Sequence, residues 1–317
     1  MEENKLISID KYKEVTFITY KVKNLSNLIL LENKDILFTS KNIITIIDKI
    51  EYKKKLSFIA GKKSINFITQ ISNKKIISSF NDFLIQIFDL LNNNSEYKLF
   101  QSLNFHENKI NSIIELNDKS LISCDKNCKI AIWKKDHYSN KYLFDYNLEE
   151  EGNIISSIEL PNKEIVTYIS YRSNENNNYI KFWNLRNMRF NKKIKVEKYY
   201  YPKIFYLRKD LKLLIVVLAD NILLLNYEKK EIVLNFLLND IIAFCDINFG
   251  HILLERQYII NLYQYQYFFE EYDIIENQFK LISNKFNINK TLLNFLMKIS
   301  NNSFATGDIF GLIKIWK

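Results

Sequence analysis

The chain has 317 residues, 47% of them hydrophobic, ample for a sizeable core in one large or two ordinary domains. Its charge of +9, from 45 Lys+Arg against 36 Asp+Glu, is scattered singly or in short groups such as Lys53-Lys54-Lys55. It therefore fits a Lys-rich coding bias better than a nucleic-acid footprint. The polar, acidic start excludes a signal peptide, and the most apolar stretch, Leu211 to Leu225, is too short and too interrupted to span a bilayer.

In chain order, Lys13 to Tyr20 alternates like a strand but has no partner of its own. A phrase then recurs: alternating apolar residues, an aromatic or aliphatic anchor, and usually Asp, Asn or Lys. It reads Ile44-Thr45-Ile46-Ile47-Asp48, Ile85-Gln86-Ile87-Phe88-Asp89, Ile130-Ala131-Ile132-Trp133-Lys134 and Ile180-Lys181-Phe182-Trp183-Asn184. Weaker copies centre on Leu225 and Leu262, and the last is Ile313-Lys314-Ile315-Trp316-Lys317. The anchors at 47, 88, 133, 183, 225, 262 and 316 recur on average about every 45 residues, a repeat-array period.

Within the third unit, Ile110 to Leu116, Leu121 to Ser123, Lys129 to Trp133 and Tyr142 to Tyr146 predict four strands joined by hairpins. Residues 266–300 are ambiguous, since Phe268 to Phe286 also fits an amphipathic helix. Gly (5) and Pro (2) are scarce, so Asn is expected at turns that need left-handed backbone. Asn92-Asn93-Asn94 and Asn174 to Asn178 are expected to be solvated loop insertions.

This pattern resembles the WD-repeat family most closely in the third unit, across His106, Ser123, Asn127 and Trp133. The resemblance covers nearly the whole chain, residues 1–317 as one domain, and is weakest in units five and six. It implies an all-β fold: a seven-bladed β-propeller of four-stranded antiparallel blades, closed by the N-terminal strand (about 13–20) pairing onto the last blade. In that family a His, a Ser, an Asp and the Trp form a buried hydrogen-bond chain. Here that implies His106, Ser123, Asn127 in the Asp position, and Trp133. In the same frame the second unit has Asp82 and the seventh has Phe310. Gly250-His251 stands too close to Leu262 to open a repeat.

Catalytic constellations are missing from the sequence. The three histidines are His106, His137 and His251, and five glycines form no phosphate-binding or nucleophile motif. Cys124 and Cys128 lack two further metal ligands, and with Cys245 they make an odd, small set expected in a reducing compartment. No catalytic residue, cofactor or metal is therefore expected. The leading expectation is a non-enzymatic protein–protein interaction scaffold in a cytosolic or nuclear assembly, binding on the face that bears His106. One alternative is an RNA- or ribonucleoprotein-associated module, motivated by the charge and the aromatics. Another is a substrate receptor of a cullin-type ubiquitin ligase, because Phe182-Trp183-Asn184-Leu185-Arg186 resembles the Trp-Asp-x-Arg box of such receptors, with Arg186 as the adaptor contact.

Overall fold

The computed structural model describes residues 14–18, 24–127, 129–149, 152–171, 178–185, 189–196, 204–209, 212–218, 221–238, 241–248, 251–261, 264–275, 278–289, 293–300, 303–308 and 312–316. Among these residues the elements are strands with one short 3-10 turn. Strand β1 is Glu14–Ile18. Next come β2 (Leu25–Leu30), β3 (Ile36–Ser40), β4 (Ile43–Ile47) and β5 (Lys54–Ile59), then β6 (Ile65–Ile71), β7 (Lys75–Phe80), β8 (Ile85–Leu91) and β9 (Glu96–Leu103). The third group is β10 (Ile110–Glu115), β11 (Leu121–Asp125), β12 (Lys129–Lys135) and β13 (Tyr142–Glu149). The fourth is β14 (Asn153–Glu159), β15 (Glu164–Ser170), β16 (Asn178–Asn184) and β17 (Arg189–Val196). The fifth is β18 (Ile204–Arg208), β19 (Leu213–Val217), β20 (Asn221–Asn226) and β21 (Glu231–Leu237). The sixth is β22 (Ile241–Asn248), β23 (His251–Asn261), β24 (Gln264–Ile275) and β25 (Gln278–Asn289), followed by β26 (Leu293–Ser300), β27 (Ser303–Asp308) and β28 (Ile313–Trp316).

These strands make a β-propeller. Six blades each consist of four consecutive antiparallel strands, and a further four-stranded sheet joins the two ends of the chain in the order β1-β28-β27-β26. There Phe17 lies opposite Lys314 and Ile18 opposite Ile313. Blade cores follow from period-two alternation, which sends successive side chains to opposite faces and so into two different seams. Ile76, Phe80 and Phe88 pack toward the first blade, while Ile77, Ile85 and Ile87 pack toward the third.

The regular closed ring implied by the family resemblance is corrected in two respects. Every sheet is open, and the extensive contacts between innermost strands run in series: β18 on β14, β14 on β10, β10 on β6, β6 on β2, β2 on β26, and β26 on β22. Among the described residues these contacts run from β22 to β18. The sixth blade also departs from the repeat. Its strands β23, β24 and β25 run to 11 or 12 residues. Ile259 to Asn261 close its second strand rather than forming its third, and residue 262 lies outside the described residues. The segment that also fits a helix, Phe268 to Phe286, falls on β24 and β25. Alternating apolar residues signal a strand without stating its place in the blade, which explains the misplaced anchor.

Turn chemistry departs from expectation as well. Asn takes positive φ at 24, 73, 92, 93, 94 and 140, but Lys does so at 34, 41, 74, 119, 163, 212 and 230. The Asn92–Asn94 insertion is not simply solvated. It forms the 3-10 turn, and Asn94, buried, donates to Asp35 Oδ2 at 3.0 Å in the preceding blade. Asp35, also buried, takes Lys55 Nζ at 2.9 Å and Asn33 Nδ2 at 2.7 Å on the same oxygen. The insertion thereby ties two blades together.

Candidate functional site

Two polar constellations stand out, on opposite faces. One lies where the loop entering β10 meets the β11–β12 turn. His106 Nε2 lies 2.6 Å from Ser123 Oγ, and its Nδ1 lies 2.9 Å from Asp125 Oδ2. Trp133 Nε1 donates to Ser123 Oγ at 2.9 Å. The assignment that satisfies every atom has Trp133 donating to Ser123, Ser123 to His106 Nε2, and His106 Nδ1–H to Asp125. Asp125 Oδ1 in turn accepts the backbone N–H groups of Asn127 (2.9 Å) and Lys129 (3.1 Å).

The structure therefore brings together His106, Ser123 and Trp133 as expected, but the acid is Asp125 and not Asn127. The expected frame set the acid six residues before the anchor; the structure sets it eight before. Asp125 ends β11, and its carboxylate folds forward over the turn to collect two amides, so Asn127 contributes only its N–H. The same correction applies elsewhere. In the last sheet Phe310 lies outside the described residues, and the corresponding positions belong to Thr306 and Asp308: Trp316 Nε1 donates to Thr306 Oγ1 at 3.1 Å, and Asp308 Oδ1 accepts Leu312 N at 2.8 Å. In the second blade the position belongs to Phe80, and Asp82 is exposed. The fourth blade keeps a shorter version, with Trp183 Nε1 donating to Thr167 Oγ1 at 2.8 Å.

A serine, a histidine and an aspartate in hydrogen-bonded sequence have the order of a hydrolytic triad. Here they are 0%, 4% and 0% exposed, so no substrate reaches Ser123 Oγ. In the second blade the chain is dismantled. Gly61 occupies the His position, and a Cβ there would sit 2.7 Å from the Phe80 ring, which fills the imidazole's place. Phe88 has no N–H to offer, and Ser78 Oγ is buried without a partner. Ser78→Ala is accordingly expected to leave stability unchanged or raise it by up to about 1 kcal/mol, whereas Ser123→Ala is expected to cost about 2–3 kcal/mol. Urea titration of the two variants checks this contrast.

Cys124 lies beside this network and is fully buried, and burial pushes its thiol up to about 12. A thiol so raised stays protonated and closed to alkylation. Cys124 is expected to resist iodoacetamide in the folded protein and to react once urea unfolds it, as read by peptide mass spectrometry. Its contribution to stability is present below the ordinary thiol range and falls as pH rises toward 12, because only the unfolded thiol ionises in that window. Cys128 and Arg186 lie outside the described residues, and Cys245 falls on β22.

The second constellation is on the face formed by the turns within strand pairs. A repeated bond links neighbouring blades there. Gln70 Oε1 accepts Glu32 N at 2.6 Å, Glu115 Oε2 accepts Ser72 N at 2.9 Å, and Glu159 Oε2 accepts Asn117 N at 2.8 Å. Each acceptor is the last or next-to-last residue of an innermost strand, and each donor sits in the first turn of the preceding blade. The sequence carries this signal as Gln or Glu five residues beyond Ile65, Ile110 and Ile154, but not until the register is known. The series stops where Pro161, which has no N–H, takes the donor's place. Lys230 instead reaches back from the fifth blade to Glu164 Oε1 at 2.6 Å.

Between the third and fourth blades this face opens into a pocket of about 380 Å³. Leu116 and Leu185 supply apolar wall, and Asp118, Glu159, Lys163 and Glu164 supply charge. Its two blades are bound further by Ser112 Oγ to Ser157 Oγ at 2.7 Å and by Asn111 Nδ2 to Ile154 O at 2.7 Å. Burial pushes the Glu159 carboxyl up against the lowering effect of the Asn117 N–H, and the Asp118 charge adds to the rise. Burial also acts to raise Glu164, but bonds from Lys230, Asn191 and Asn162 outweigh it and hold that carboxyl below its usual range.

Among the described residues no group of three or more His, Cys, Asp or Glu is placed to hold a metal ion, and no helix is long and apolar enough to cross a membrane. No protein-family model matches the chain, and no curated protein matches it.

Proposed function

We propose that the chain is a non-catalytic protein–protein interaction scaffold of the WD-repeat kind, a subunit of a larger cytosolic or nuclear assembly. The observation that supports this reading is the architecture. Repeated four-stranded blades present two faces built of turns, on which binding surfaces vary without disturbing the sheets. The WD-repeat kinship rests on the His106–Ser123–Asp125–Trp133 chain of the third blade and its shortened copies at Trp183 and Trp316. No observation favours the RNA-associated or ubiquitin-ligase readings over this one.

Affinity purification of the full chain from its native cell, with mass spectrometry, tests the proposal. The expected result is a stoichiometric set of proteins that survives nuclease and raised salt. Loss of every partner under either treatment overturns it, since contacts to nucleic-acid phosphates weaken steeply with salt. Catalytic turnover by the purified protein overturns it equally.

A further inference from the structure

We propose that the pocket between the third and fourth blades receives a cationic side chain, Lys or Arg, from an extended segment of a partner protein. The inference deepens the scaffold reading and rests on it.

The lining has the two parts that such a side chain requires. Leu116 and Leu185 offer an apolar wall for the methylene stem, and Asp118 and Glu159 offer carboxylates for the charged head. Long basic side chains need both, because their stems are hydrocarbon and only their ends are charged. Among the described residues neither Asp118 nor Glu159 forms an ion pair, whereas Glu164, on the same wall, is already taken by Lys230. Asp118 Oδ1 accepts Ser120 N at 3.0 Å, and Glu159 Oε2 accepts Asn117 N at 2.8 Å, so both carboxylates are held in place by backbone.

The concentration of acid is local. The chain as a whole carries +9, but in the recess Asp118, Glu159 and Glu164 outnumber the lining Lys163 and the Lys230 paired to Glu164, so the local balance is acidic and favours a cation over phosphate. The recess is also preformed. Bonds across the seam at Ser112–Ser157, Asn111–Ile154 and Asn117–Glu159 fix its two walls, so little ordering accompanies binding. The volume, about 380 Å³, fits one long side chain and its flanking backbone better than a folded domain.

A displayed library of nine-residue peptides, with the central residue fixed as Arg, Lys, norleucine or Glu, provides the probe. The full chain is expected to retain the Arg and Lys sets at least about tenfold over norleucine, a difference of about 1.4 kcal/mol. Asp118→Asn and Glu159→Gln are expected to abolish that preference. Glu159→Gln keeps an acceptor for the Asn117 N–H, so thermal unfolding of this variant should match the parent and show that the recess is intact. Equal retention of norleucine and Arg peptides overturns the proposal, as does a preference unchanged in both variants. Binding of calcium ion alone at the recess, seen by calorimetry and lost in the same variants without any peptide preference, overturns it too. The two readings fail separately. If native partners still co-purify in unchanged amounts with both variants, the pocket assignment falls and the scaffold stands; if no partner co-purifies with the parent, the scaffold falls.

Discussion

Asp125→Ala is expected to lower the unfolding free energy by about 3–5 kcal/mol, whereas Asn127→Ala is expected to change it by less than about 1 kcal/mol. The difference follows from what each side chain holds. The Asp125 carboxylate is fully buried and accepts three donors: His106 Nδ1–H and the amides of Asn127 and Lys129. Alanine leaves all three without an acceptor in a region that water does not reach. Its loss also frees His106 to turn, which exposes the Trp133–Ser123 bond to disruption. Asn127 is exposed, and its only role in the network is its N–H, which alanine retains. Denaturant titration with linear extrapolation separates the two cases. Asp125→Asn should fall between them, since an amide oxygen accepts hydrogen bonds but brings no charge. A large loss at Asn127 together with a small one at Asp125 would restore the frame with the acid six residues before the anchor.

Replacing Lys34, Lys119 and Lys163 with Gly is expected to raise stability by about 0.5–1 kcal/mol at each site, and by about 1.5–3 kcal/mol in the triple variant. All three lysines occupy the same place in the first turn of a blade, with φ of 71°, 70° and 66°. In each turn the lysine N–H donates to the leucine carbonyl three residues earlier, at 2.8 Å from Lys34 and 2.9 Å from Lys119 and Lys163. A side chain with a Cβ is disfavoured by about 1–2 kcal/mol in this left-handed region, and part of that gain is returned as added freedom of the unfolded glycine. The side chains themselves do little that would be missed. Lys119 reaches Glu115 only at 3.7 Å and is half exposed, where an ion pair contributes little. Lys163 lines the acidic pocket, so its removal also strengthens the local negative field. Thermal and denaturant unfolding of the single and triple variants measure the effect. A triple variant no more stable than the parent would mean that these turns relax around lysine without strain.

The amino-acid sequence determined the elements most fully where alternation and a strong anchor coincide. In the third blade Ile110, Leu121, Lys129 and Tyr142 open the four predicted strands and open β10, β11, β12 and β13. His106, Ser123 and Trp133 were also legible, because their types and spacing are specific. Asp125 was not, since sequence spacing does not reveal that a carboxylate at a strand's last residue folds forward over the turn. Order within the sixth blade was hidden for a related reason: period two marks a strand and its faces but not its rank, so Ile259 to Asn261 passed for a third strand. What only the tertiary structure decided are relations between residues about 40 or more apart. The Glu159–Asn117 bond, the docking of Asn94 on Asp35, and the meeting of Leu116 with Leu185 around one recess all depend on the register of neighbouring blades. Local propensity fixes each strand, but packing between sheets fixes which turn faces which strand end, and the candidate binding pocket arises from that packing.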